Sequence, residues 1–124
     1  MTFKHDHQPI LNQIQLDSIR SLNPSNGDVL VKKILQIFAE TSVDQIKQIK
    51  HALENEDNEN LCHAAHTLKS SSANIGAENL SDIAKTLELY GRSREHAQAA
   101  LLQNDLFQQY QLVITEIEKI LDRL

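Results

Sequence analysis

Leu61-Cys62-His63-Ala64-Ala65-His66-Thr67-Leu68-Lys69-Ser70-Ser71-Ser72-Ala73-Asn74-Ile75-Gly76 is the stretch on which the fold turns. A helix advances about 100° per residue, so with Leu61 as origin Ala65, Leu68, Ser72 and Ile75 fall within about 40° of it. That is a single apolar stripe, facing a core. His66 lies about 140° away, His63 about 200° and Ser70 about 180°, all outward, while Lys69 sits on the flank at about 80°. The helix has punctuation at both ends. Asp57, in the acidic, Asn-rich break Glu54-Asn55-Glu56-Asp57-Asn58, suits an N-cap, and Gly76 suits a left-handed C-cap.

The same periodicity continues on both sides. Ile10 to Leu22 predicts a short first helix, stopped by Asn23-Pro24-Ser25-Asn26-Gly27. Leu30, Val31, Ile34, Ile37, Phe38, Thr41, Ile46, Ile49, Ala52 and Leu53 predict a long helix from about residue 28 to 54. Leu80, Ile83, Ala84, Leu87 and Tyr90 mark another, ending near Gly91 to Arg94, and Leu102, Leu106, Tyr110, Val113, Ile117, Ile120 and Leu124 mark a long last one. No segment alternates with period two. Short connections favour antiparallel neighbours, so the expected fold is all-α: an antiparallel up-down four-helix bundle with a short additional N-terminal helix. Residues 10–124 read as one helical domain, and residues 1–9, with His5 and His7, as a flexible N-terminal segment or linker.

Composition narrows the function. A chain of 124 residues suits one domain, and a formal charge of −5 argues against nucleic-acid or anionic-membrane surfaces. No apolar run approaches the roughly 20 residues of a membrane span, and Met1 to Pro9 has no signal-peptide core. The lone Cys62 has no internal disulfide partner, which fits a cytoplasmic protein. There is no Gly-rich nucleotide cradle, since the only glycines are Gly27, Gly76 and Gly91.

The chemistry gathers at His66. An imidazole with a reference pKa of about 6.5 is a nitrogen nucleophile near neutral pH without a dedicated base. Its neighbours one turn away are Lys69 and Ser70 ahead and Cys62 and His63 behind, with Ala73 two turns on. One cation and several short side chains leave room for a partner to approach. His63 instead has Glu59 as a neighbour, and a carboxylate there repels a phosphoryl group. Lys69 offers a point charge to phosphoryl oxygens, and Ser70 or Ser71 a hydrogen bond. His66 is thus the candidate phospho-acceptor, Lys69 the phosphate-stabilising cation and Ser70 a hydrogen-bond donor, with Cys62, His63, Ser70 and Ala73 facing the partner.

With these residues in place, the chain resembles the histidine phosphotransfer (HPt) family of two-component phosphorelays. The resemblance is carried by Ala65-His66, Leu68-Lys69, the small run Ser70-Ser71-Ser72-Ala73, Ile75-Gly76-Ala77 with Leu80, and Leu87-Glu88 in the following helix. It implies that His66 accepts a phosphoryl group from a receiver-domain aspartate and passes it to another. It also implies that receiver domains of response regulators or hybrid histidine kinases are the partners, and that they supply the magnesium, so the chain needs no cofactor or metal of its own. Ser70 departs from the pattern, because many members have Gly directly after the Lys. Sensor kinase dimerisation domains usually place an acidic residue after the phospho-accepting His, then Arg-Thr-Pro. Here Thr67 follows, so the chain is expected to be a carrier without autokinase activity, free-standing or the carboxy-terminal part of a hybrid sensor kinase.

Blander readings exist for each feature. His66 in isolation would be an ordinary surface histidine, making the domain a helical protein-interaction module without phosphotransfer. Cys62 with His66, or His63 with His66, supplies at most three metal ligands and no fourth. The heptad-like last helix suits a dimeric coiled coil, but Tyr110 at its seam and only about three heptads favour a bundle core and a monomer.

Overall fold

The computed structural model describes residues 9–124, so the expected flexible segment lies outside the described residues except for Pro9. Six helices and no strand are present among them: α1 (Gln13–Ser21), α2 (Gly27–Glu54), α3 (Asn58–Asn74), α4 (Glu78–Arg92), α5 (His96–Ala100) and α6 (Gln103–Arg123). α3 packs most extensively on α4 and next on α2, while α6 covers both α4 and α2. α3 and α4 are antiparallel: Asn58 and Cys62 lie against Gly91 at one end, and Ser81 Oγ donates to the Lys69 carbonyl toward the other at 2.9 Å.

Local signals set the ends of α3. The Asp57 side chain accepts from the Asn60 amide. Gly76 adopts φ +79°, and the amides of Gly76 and Ala77 donate to the carbonyls of Ala73 and Ser72, which is a Schellman stop. Gly76 also receives α1, because the Asn12 amide donates to its carbonyl at 2.8 Å. A Cβ there would lie 2.9 Å from the Asn12 nitrogen.

Leu61, Ala65, Leu68, Ser72 and Ile75 are all buried, the stripe expected from the periodicity. Three details differ from the sequence expectation. α1 begins at Gln13 because the Asn12 side chain caps it by accepting from Ile14 N, leaving Ile10 and Leu11 ahead of the helix. In α2, Ile37 and Thr41 are exposed, while Leu35 and Ser42 take core positions. The stripe there runs Val31, Leu35, Phe38, Ser42, Ile49, Leu53, and Ser42 belongs in it because its hydroxyl meets Tyr110 Oη of α6 at 2.8 Å. Finally, the short α5 precedes the last helix. Arg94 at φ +60° reverses the chain after α4, and α5 buries Ala99 before Leu102 opens α6.

Candidate functional site

The centre of the site is a carboxylate. Glu88 of α4 is buried, its side chain 5% exposed, and it gathers three cationic or cation-capable groups. Lys69 Nζ donates to its Oε1 at 2.6 Å. His66 Nδ1 lies 2.8 Å from Oε2, and Arg92 Nη2 donates to the same oxygen at 3.0 Å. α3 supplies His66 and Lys69 one turn apart; α4 supplies Glu88 and Arg92 one turn apart. The two pairs meet where the antiparallel helices touch.

Electrostatics keeps the hub ionised. Burial alone pushes the Glu88 carboxyl up, but hydrogen bonds from Lys69 and His66 and the neighbouring positive charge more than offset it, leaving the group below its ordinary value. A buried carboxylate must be paired, and this one is paired three times. An ionised carboxylate only accepts hydrogen bonds, so the proton of a neutral His66 ring belongs on Nδ1. The lone pair is then on Nε2, on a side chain 61% exposed.

The structure brings His66 and Lys69 together through Glu88: the ammonium lies against the carboxylate that also orients the imidazole. His63, Ser70 and Ala73 are exposed on the same helix. Cys62 is half-buried and borders a cleft with Gly91 and Arg92 rather than standing clear. Ser71 turns toward α2, its hydroxyl 3.2 Å from Gln45 Oε1. No group of three or more His, Cys, Asp or Glu suited to a metal occurs among the described residues. Glu88 and Arg92 are the site residues that periodicity alone does not single out. A signal was present. With Leu80 as origin, Ala84, Leu87 and Gly91 lie within about 40°, and Glu88 falls on the stripe's flank at about 80°. That mirrors Lys69 on α3, and a carboxylate at such an edge calls for a cation across the interface.

Residues 33–124 match the Hpt domain family, and the chain belongs to it. The crystal structure of histidine-containing phosphotransfer protein B from Pseudomonas aeruginosa PAO1 is similar over 94% of this chain and 98% of that one, with a TM-score of 0.83 and 26% identity. No curated protein matches the sequence. Fold and family define a histidine phosphotransfer domain, a phosphoryl carrier rather than a classical enzyme. Its function is histidine phosphotransfer in a phosphorelay, where receiver domains are the partners of this family. No helix among the described residues is long and apolar enough to cross a membrane.

Proposed function

We propose that His66 carries the phosphoryl group on Nε2, accepting it from one receiver aspartate and delivering it to another. The observation that carries this reading is the Nδ1 to Glu88 contact of 2.8 Å on an otherwise exposed ring. In the forward step the Nε2 lone pair attacks phosphorus, an N–P bond forms, and the P–O bond of the aspartyl phosphate breaks. The aspartate carboxylate leaves with the electron pair. No proton has to move, because Nδ1 keeps its own, and Glu88 stabilises the positive charge that develops on the ring. Delivery to the next receiver is the reverse step, with a new carboxylate as nucleophile.

Lys69 is assigned the phosphoryl oxygens: an ammonium on a flexible stem, held nearby by Glu88, can move to the new charge. Ser70 is a second donor from the exposed face, and Cys62, His63 and Ala73 border the approach. Magnesium is assigned to the receiver, whose site neutralises the group in flight. The chain is read as a cytoplasmic monomer without autokinase activity, either free-standing or the end of a hybrid kinase.

The test is transfer from a panel of ³²P-phosphorylated receiver domains. His66→Gln is expected to abolish labelling while His63→Gln retains it, and the label should be acid-labile and base-stable. Labelling that survives His66→Gln removes the assignment.

A further inference from the structure

Two adjoining clefts flank the N-terminal half of α3. One, of about 530 Å³, lies between α2 and α3 and is lined by Lys47, Gln48, His51, Asn60 and His63. The other, of about 230 Å³, lies between α3 and the end of α4, where Arg92 and Arg94 stand over Cys62 and Gly91, with His63 again a wall. His63 is therefore a ridge between them, one turn before His66. Lys47, His51, His63 and Arg94 make no ion pair among the described residues. Glu59 is the carboxylate that lines the second cleft, and none lines the first. In a chain of net charge −5 this is an arc of two unpaired cations, Lys47 and Arg94, and two imidazoles on one side of the proposed phospho-acceptor.

We infer that the arc of Lys47, His51, His63 and Arg94 receives an acidic segment of the receiver domain, steering and seating the partner against His66. The inference rests on the phosphotransfer reading above and adds to it a docking surface of stated chemistry. The partner must present a phosphorylated carboxylate together with magnesium, an ion held by oxygen ligands, chiefly carboxylates. The face it brings to His66 is accordingly acidic. A carrier of net negative charge repels such a face at a distance, and unpaired cations at the rim of the site reverse that locally. Arg94 sits at the backbone reversal after α4, at φ +60°.

The experiment uses the full chain and the receiver domain that labels the wild type fastest in the panel. Second-order transfer rate constants are measured between about 20 mM and 500 mM NaCl, a range over which screening becomes strong. Lys47→Glu reverses one charge of the arc. Arg94→Asn removes another while keeping a residue that tolerates left-handed backbone. Each is expected to slow transfer severalfold at low salt, the double variant by about tenfold or more, with the difference closing at high salt. Lys119→Glu on α6 is the control for net charge, and the lifetime of phosphorylated His66 should not change in any of them. A double variant with the wild-type salt dependence, or a Lys119→Glu variant equally slowed, overturns the docking surface. Failure of the phosphotransfer reading looks different: the wild type then takes no label at any salt, or His66→Gln keeps it.

Discussion

Glu88→Gln removes the charge of the hub and keeps its shape, which separates orientation from packing. Three donors converge on the carboxylate, and a carboxamide has one acceptor oxygen and one donor nitrogen. If the oxygen serves Lys69, the amide N–H₂ faces Nδ1, and the ring responds by taking the other tautomer, with its proton on Nε2. The outward nitrogen then has no lone pair for phosphorus. A charge-assisted hydrogen bond contributes about 1.5–3 kcal/mol, and at an imidazole 61% exposed water replaces part of it, so the lower end applies. Transfer should fall about tenfold. Stability should fall less, by about 1 kcal/mol, because the substitution also removes the penalty of burying an ion. Quench-flow transfer and urea denaturation measure the two, and ¹⁵N NMR of the ring reads the tautomer. Unchanged transfer with the lone pair still on Nε2 refutes the reasoning. The pH dependence gives a further check. The folded Glu88 carboxyl lies below 4.5, so its contribution is complete above the unfolded value and is lost as pH falls through the folded one. The stability gap between wild type and Glu88→Gln should narrow as pH falls below about 5.

Lys69→Ala leaves Glu88 with His66 and Arg92, so transfer should slow about tenfold and phosphohistidine lifetime shorten, while helical circular dichroism stays unchanged. A large loss of helicity would instead make Lys69 a residue of the fold. Gly91→Ala puts a Cβ 2.9 Å from the Asn58 carbonyl oxygen and 3.0 Å from the Cys62 nitrogen, backbone atoms that cannot rotate aside. Helix propensity favours Ala by about 1 kcal/mol, and overpacking opposes it by about 1–3 kcal/mol. Thermal unfolding should show a net loss of up to about 2 kcal/mol, with slower transfer as α4 carries Glu88 away from His66. A stabilised variant would mean that the helices separate there without strain.

The fold was legible wherever one helix face does one job. α3 and α4 bury residues spaced by threes and fours, and the ends of α3 are set by local chemistry that can be read from the chain, Asp57 at its start and Gly76 at its stop. α2 was legible in extent but not in rotation. A buried Ser42 breaks the apolar pattern, and its partner Tyr110 lies 68 residues away, a pairing that no local window contains. α5 was hidden because five residues, His96–Ala100, hold too little periodicity to register.

The site divides in the same way. His66 and Lys69 share a helix, so their spacing alone puts them one turn apart, outward and on the flank. Their coupling is not local, because it passes through a carboxylate 22 residues from one and 19 from the other. What the sequence holds of it is a rule of burial: an acidic residue at the edge of the α4 stripe, next to the small Gly91 that lets α3 approach, needs a cation on the facing helix. Lys69 at the matching edge of α3 is that cation. The close approach at Gly91 and the ion pair at Glu88 are thus one device seen at two depths. The first brings the helices near enough for the second, and the second orients an exposed imidazole by its Nδ1, with Nε2 left facing outward.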